Sequence, residues 1–337
     1  MTESPDLIFD RSRSKLTAIA YRMMGTVMDA EDVVQDAFLR WSKTDRTTVD
    51  EPERYLSAIV TRLSIDLLRS RKKERETYEG PWLPEPLVEP SHDHVELAES
   101  LSTAFLLMLE RLGPAERAVS LLREVFDYGY DEIAVIVERS EANCRQMVKR
   151  ARDRIAEGGR NRFVPEPGQH QRLTENFLKA AAKGDMEGLM GVLAEDVSFR
   201  SDHGGKVSAA RRILRRPDTI SRFILGLGQK SVGMRVDVKV ATINGEMGVA
   251  FYLEGELQSV WTFEVVEGRI AEIYVVLNPE KLGRAKKALE DCCTSRGKQR
   301  HLIVAPGPQL GVRLEESFSR VRQEFPAPRG TSVQRRS

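Results

Sequence analysis

The spacing of apolar residues changes once along this chain, and that change limits what the chain can fold into. Between Leu7 and Ile155 apolar side chains recur every three or four positions, the period of one helix face. Between Val197 and Leu277 they fall into short alternating runs, the period of strands. Helices followed by strands imply an α+β layer at the C-terminal side, not a doubly wound parallel sheet. A length of 337 residues exceeds most single cores and predicts two or three domains.

The best-marked helix runs through Asp29-Ala-Glu-Asp-Val-Val-Gln-Asp-Ala-Phe-Leu-Arg-Trp41. Asp29 is the expected N-cap, with Glu31 and Asp32 in the first turn, where free backbone N–H groups favour carboxylates. Val33, Val34, Ala37, Phe38 and Trp41 form its packing face, and Asp32, Gln35, Asp36 and Arg40 occupy the others. Before it, Leu7 to Met24 reads as a helix with Leu16, Ile19, Ala20 and Met23 as its stripe, ended by Gly25. After a polar connection from Lys43 to Glu51, Pro52 opens a third helix. Its inward set is Tyr55, Leu56, Ile59, Val60, Leu63, Ile65, Leu67 and Leu68, and it runs out into Arg69-Ser-Arg-Lys-Lys-Glu-Arg75.

This stretch, with Ala20-Tyr-Arg-Met-Met-Gly25 before it, resembles region 2 of the extracytoplasmic-function sigma factors, promoter-specificity subunits of bacterial RNA polymerase. The resemblance implies that Asp32, Gln35, Asp36, Phe38, Leu39 and Trp41 form or support the surface that meets the clamp coiled coil of the polymerase's largest subunit. It places the third helix and the loop before it at the minus-10 element. A captured strand there needs cations for its phosphates, and the candidates are Arg62, Arg69, Arg71 and Lys72.

From Tyr78 the texture becomes proline-rich. Trp82-Leu-Pro-Glu-Pro86 favours extended backbone, yet Trp82 and Leu83 carry apolar area that wants a pocket. Val95 to Gly113 is an expected helix with Leu97, Leu101, Phe105, Met108 and Leu112 as its series. Pro114 opens the next, and Tyr130 to Val137 followed by a helix from Glu141 reads as a helix-turn-helix. The inner face of the last helix is Cys144, Met147 or Val148, Ala151 and Ile155. Its outer face is Asn143, Arg145, Gln146, Lys149, Arg150 and Arg152, suited to base edges and phosphates. Leu112-Gly-Pro-Ala-Glu-Arg117 and Ala142-Asn-Cys-Arg-Gln-Met-Val-Lys-Arg-Ala-Arg152 resemble sigma region 4, which implies minus-35 binding by Asn143, Arg145, Gln146, Lys149 and Arg150 and a polymerase contact at the flap region. Glu138 and Arg139 depart from that family, where a glycine and an aliphatic residue are usual. Cys144 reads as packing.

Beyond Gly158-Gly159 and Phe163-Val-Pro-Glu-Pro-Gly168, helices are expected at Gln169 to Lys183, from Gly184-Asp185 to Leu193, and from Pro217 to near Gly228. Strands are expected at Val197 to Asp202, Val232 to Ile243, Met247 to Leu253, Leu257 to Val266 and Ile270 to Leu277, with turns at Asn244-Gly245 and Glu267-Gly268. The pattern resembles the SnoaL-like branch of the NTF2-like cone fold. Trp-Leu-Pro-Glu-Pro, Asp202-His-Gly-Gly-Lys206 and Asn278-Pro-Glu-Lys-Leu282 resemble the motifs of a sigma subgroup with this fused domain; His203 replaces a glycine. The resemblance implies a regulatory contact drawing on Trp82, Leu83, Pro84, Glu85, Pro86, Asp202, Gly204, Gly205, Lys206, Asn278 and Pro279. Asp202 and His203 are also the only acid–base candidates that an enzymatic reading of such a fold offers.

The expected domains are therefore 1–77, sigma region 2; 78–94, a proline-rich linker; 95–163, sigma region 4; 169–295, a SnoaL-like regulatory domain; and 296–337, a basic tail expected to be mostly disordered. The fold class is multidomain: two all-α domains, a helical bundle and a helix-turn-helix, plus an α+β NTF2-like domain. A net charge of +1 hides local basic clusters. Three cysteines without metal-ligand spacing, and the absence of a signal-peptide pattern or an apolar run of bilayer length, point to a cytoplasmic protein without membrane association. No cofactor or metal motif is present. The expected partners are core RNA polymerase and promoter DNA, a separate anti-sigma factor is not required, and a small-molecule ligand in the cone stays open. The expected function is promoter-specific initiation modulated in cis by the fused domain. The alternative is a DNA-binding module fused to an NTF2-like enzyme or sensor that never meets polymerase.

Overall fold

Thr26, three residues ahead of the expected cap, starts the helix that carries the acidic face. Its backbone is extended and its hydroxyl accepts the Asp29 N–H at 3.4 Å. Asp29 is instead buried and ion-paired with Arg71. That pairing corrects the sequence expectation, and the reason is distance along the chain: a carboxylate inside the fold needs a cation, and the cation comes from 42 residues away. The computed structural model describes residues 5–88, 102–157, 168–295 and 303–304. They divide into two units: Met1–Asn161 with Asn244–Glu246, and Arg162–Ile243 with Met247–Ser337.

In the first unit α1 (Pro5–Met24), α2 (Val27–Ser42) and α3 (Pro52–Ser70) pack on one another, with a short α4 (Lys72–Glu76) behind them. Leu16, Ile19, Met23, Val33, Val34, Ala37, Trp41, Leu56, Ile59 and Val60 fill the space between them. The face of α2 read from spacing is the one buried, except that Phe38 is only partly covered, edge-on to Phe9 at 4.9 Å. Tyr55 departs from the inward set and lies exposed. Then come α5 (Thr103–Leu109), α6 (Pro114–Glu124), α7 (Tyr130–Val137) and α8 (Glu141–Glu157). The helix expected from Val95 to Gly113 is described as α5 and ends at Leu109; its part before residue 102 lies outside the described residues, as do the double glycine at 158–159, the boundary through 167 and the tail beyond 304.

The helix-turn-helix is α7 and α8. Glu132 reaches back to the Gly129 N–H at 2.5 Å to cap α7, and Ser140 accepts the Asn143 N–H at 3.3 Å at the start of α8. Cys144, Met147, Val148 and Ala151 are buried, as their spacing predicts. They belong to the same apolar cluster as the α1–α3 core, so the two helical segments share one continuous core.

The second unit opens with α9 (Gln169–Lys183) and α10 (Met186–Val192), then β1 (Leu193–Asp202), β2 (Leu214–Arg215), α11 (Pro217–Lys230), β3 (Val236–Ile243), β4 (Glu246–Leu253), β5 (Glu256–Val266), β6 (Arg269–Val276), α12 (Pro279–Ser295) and β7 (Ile303–Val304). Among the described residues the sheet order is β2-β1-β6-β5-β4-β3-β7. It is mixed, because β1 runs parallel to β6 while the β4–β5 and β5–β6 pairs are antiparallel. This is the α+β layer expected from helices first and strands after.

Alternate residues decide which sheet face meets the helices. Val197, Phe199, Trp261, Phe263, Ile273 and Val275 join Phe177 of α9 and Ile220 and Ile224 of α11 in one core. Its aromatic rings meet edge-on, Phe177 with Phe263 at 5.2 Å and Phe199 with Trp261 at 5.6 Å. The expected strand from Val232 begins only at Val236, after a turn at Ser231–Met234, and the first strand starts four residues early at Leu193, where the helix was expected to end. The turns at Asn244-Gly245 and Glu267-Gly268 form with both residues at positive φ, the geometry that two-residue hairpins require.

Candidate functional site

Two side chains bond the start of α2, and a third holds one of them in place. Besides Thr26, Glu85 of the linker accepts the Val27 N–H on its carboxylate at 2.7 Å, while its backbone N–H donates to Gly25 at 2.8 Å. The Tyr21 hydroxyl donates to the Glu85 carbonyl at 2.7 Å. A carboxylate at a helix N-terminus is stabilised by the macrodipole and by the free N–H it accepts. The role of Glu85 as a cap was not legible in the sequence, because it lies 58 residues from the group it satisfies.

The rest of Trp82-Leu-Pro-Glu-Pro86 follows from that anchor. Leu83 is fully buried, and the Arg75 guanidinium stacks 3.7 Å from the centre of the Trp82 ring. Gly25, at φ 73°, lies beneath the indole, and a Cβ there would stand 2.5 Å from it. The glycine read as a helix stop therefore also admits the tryptophan.

One face of α2 remains outside. Asp32, Gln35 and Asp36 are exposed, and Leu39 keeps 46% of its surface in water. Met28, 59% exposed, extends the same face by one turn. Phe38 is half-buried and Trp41 has no accessible surface, so these two support the face from within. The sequence reading missed Met28, which its exposure alone distinguishes.

The four cations expected at the minus-10 element all have partners. Arg69 pairs with Asp66 at 3.1 Å, Arg71 with Asp29, and Lys72 with Glu76 at 3.8 Å. Arg62 donates from Nε to the Ile136 carbonyl and from Nη2 to the Val135 carbonyl, both at 2.8 Å, and lies 3.4 Å from Glu138. It thus caps the C-terminus of α7, inside the helix-turn-helix. Beside it, Tyr128 donates to Ser57 at 2.9 Å and Arg54 pairs with Glu132 at 2.6 Å.

On α8, Arg145, Gln146, Lys149 and Arg150 are exposed and Asn143 is half-buried. Arg145 pairs with Glu141 at 2.8 Å and stacks over Tyr130, and Arg150 lies 3.5 Å from Glu116. Burial pushes the Cys144 thiol up from its ordinary value, which suits packing and not redox chemistry.

In the second unit Asp202 and His203 are both buried. Lys281 holds the Asp202 carboxylate at 2.7 Å, and the Asp202 carbonyl accepts N–H groups from Leu277 and Asn278 at 2.7 and 2.9 Å. His203 accepts the Gly205 N–H on Nδ1 at 3.0 Å, closing a turn with Gly204 and Gly205 at positive φ. One candidate acid–base group is thus paired with a lysine, and the other closes its own turn through Nδ1. Asn278 accepts the Glu280 N–H at 3.1 Å to start α12 at Pro279, and Lys206 pairs with Glu280. Among the described residues no grouping of side chains could hold a metal ion, and no helix is long and apolar enough to cross a membrane.

Comparison with known proteins agrees with these two helical segments. A family model described as Sigma-70 region 2 matches residues 8–74, and one described as Sigma-70, region 4 matches residues 102–155. The chain is 35% identical to the ECF RNA polymerase sigma factor SigJ of Mycobacterium tuberculosis over 86% of its own length and 97% of that protein's. The chain belongs to the ECF RNA polymerase sigma factors. A probable ECF sigma factor SigI of the same species is 31% identical over 80% of this chain and 92% of its own. The crystal structure of the M. tuberculosis SigJ superposes with a TM-score of 0.66 at 31% identity, covering 81% of this chain and 96% of that one. As an ECF sigma factor the protein directs transcription initiation, binding core RNA polymerase and promoter DNA. It is not an enzyme.

Proposed function

We propose that the exposed face of α2, Asp32, Gln35, Asp36 and Leu39, is the surface by which this sigma factor docks on the clamp of core polymerase in the cytoplasm. The observation that carries this reading is an acidic face with an exposed leucine on a helix bonded at its start by Thr26 and by Glu85, which Tyr21 holds in turn, because a rigid helix loses little entropy on docking. Phosphates at the minus-10 element take Arg62, Arg69, Arg71 and Lys72, and α8 reads the minus-35 element with Asn143, Arg145, Gln146, Lys149 and Arg150. Arg62 cannot hold a phosphate while it caps α7, so promoter capture by this residue requires α3 and α7 to part.

The fused domain adjusts this activity in cis, through the linker from Trp82 to Pro86 and the loops holding Asp202, Gly204, Gly205, Lys206, Asn278 and Pro279. Support comes from Glu85: a linker residue that caps the polymerase-facing helix couples any movement of the linker to that helix.

Equilibrium binding to purified core polymerase tests the first part, and Asp36→Arg is expected to weaken it at least tenfold without changing the melting temperature. Transcription from a cognate promoter tests the second, with Trp82→Ala and Lys206→Ala each expected to change the yield. Unaltered core binding by Asp36→Arg would remove α2 from the interface, and unaltered yield in both other variants would remove regulation through these contacts.

A further inference from the structure

Between Lys206 and Arg222 the second unit carries Arg211, Arg212, Arg215, Arg216 and Arg222 with Asp218 as the only acid, in a chain whose net charge is +1. All five guanidinium groups lie on exposed residues. Arg216 and Arg222 share Asp218 at 3.3 and 3.4 Å. No described carboxylate pairs with Arg211, Arg212 or Arg215.

The backbone beneath these arginines is fixed. Ser201 donates to the Ala210 carbonyl at 2.8 Å, and Ala210 and Leu214 pack against the core. Phe199 pairs with Leu214 and Ser198 with Arg215 in the β1–β2 ladder, and the Arg216 N–H donates to Val197 at 3.3 Å. Arg216 sits at φ 77°, a conformation costly for a residue with a Cβ. Since β2 is the terminal strand of the sheet among the described residues, no further described strand covers its outer side. Arg211 and Arg212 leave the loop between two partly buried anchors, and Arg215 and Arg216 leave the sheet edge.

Crowding like charges on a pinned edge opposes folding, so the cluster calls for an anion outside the chain. Its cations are all arginine, whose planar fork matches phosphate in two bonds and is less strongly hydrated than an ammonium group. Five residues of extended chain span at most about 17 Å, and duplex DNA offers one charge per about 1.7 Å of axis. The anion within reach is the DNA that the first unit binds, because a tether makes the second contact intramolecular. We propose that the Arg211–Arg216 edge of the fused domain binds the phosphate backbone of duplex DNA, as a sequence-independent foothold separate from the helix-turn-helix.

The test titrates the full chain against a fluorescent 40-base-pair duplex of mixed sequence from about 25 to 200 mM salt. Each lost phosphate contact should flatten the slope of log K against log salt by about 0.9. Combined Arg211→Ala, Arg212→Ala and Arg215→Ala is therefore expected to flatten it by about 2 to 3. The same three positions changed to Lys keep the charge and should keep the slope, which separates phosphate contact from damage to the fold. Lys183→Ala, Lys230→Ala and Lys287→Ala together remove as much charge from exposed positions elsewhere on the same unit and should change the slope by less than 1. No binding by the unaltered chain, or equal slopes for the unaltered chain and the arginine variant, overturns the proposal. So does equal flattening in the two alanine variants, or weaker binding to core polymerase with the DNA slope unchanged, which would assign the edge to an acidic protein surface.

Discussion

His170 shows how far one side chain can govern a fold. Its Nε2 lies 2.8 Å from the Phe263 carbonyl and so carries the proton, while Nδ1 is buried with no partner among the described residues. Protonating Nδ1 would bury a charge, and burial accordingly holds this imidazole below its usual value of 6.5. The unfolded chain therefore binds the extra proton more readily. The contribution of His170 to stability is complete above the unfolded value and is lost as pH falls below it. Chemical denaturation between pH 7 and pH 5 should show stability falling as pH drops below the unfolded value, with a slope of at most about 1.4 kcal/mol per pH unit. His170→Gln, which keeps a donor for Phe263 but does not titrate, should flatten that part of the profile.

At the scale of elements, the turn between α7 and α8 bears a cost that the sequence announces. Glu138 stands where the resemblance to sigma region 4 leads one to expect glycine, and it closes α7 in the left-handed region at φ 54°. A side chain there costs about 1 kcal/mol, partly offset by the lower entropy of glutamate over glycine in the unfolded chain. Its 3.4 Å pairing with Arg62 is exposed and adds little. Glu138→Gly is expected to stabilise the first unit by up to about 1 kcal/mol, read as a higher denaturation midpoint with an unchanged slope. A lower midpoint would mean that the pairing with Arg62 outweighs the backbone strain. Helix and strand periods were legible because each depends on residues a few positions apart. The caps of α2 and α7 were not, since Glu85 and Arg62 act across more than fifty residues.

At the scale of the whole molecule, the first unit is held by a charged hub as well as by its apolar core. Glu110 accepts from Arg75 at 2.8 Å and from Arg117 at 2.7 Å, and the same arginines donate to the carbonyls of Met24 and Met23 at 2.7 and 2.6 Å. Two cations from α4 and α6 thus cap the C-terminus of α1 with one carboxylate between them. Arg117 is buried and Arg75 is held below its ordinary value, chiefly by desolvation. Glu110→Ala would leave Arg117 without its counter-charge, and it should destabilise the unit by about 3 kcal/mol in equilibrium unfolding. A loss below about 1 kcal/mol would show that water or the two carbonyls suffice.

The order of the longer helices and strands up to β6, the buried faces of α2 and α8, the hairpin turns and the family itself were determined by the sequence, through periodicity and recurring residue identities over short separations, whereas β2 and α12 were not read from it. The acidic face of α2 was legible for the same reason. What only tertiary structure decided is which polar groups are already engaged. Asp29 is an ion-pair partner and not a cap, Arg62 a helix cap, Glu85 a cap on α2, and Asp202 a lysine's counter-ion. Each is a charged group whose burial is tolerable only beside a complementary group, and the chain brings those groups together from positions too far apart for any local pattern to record.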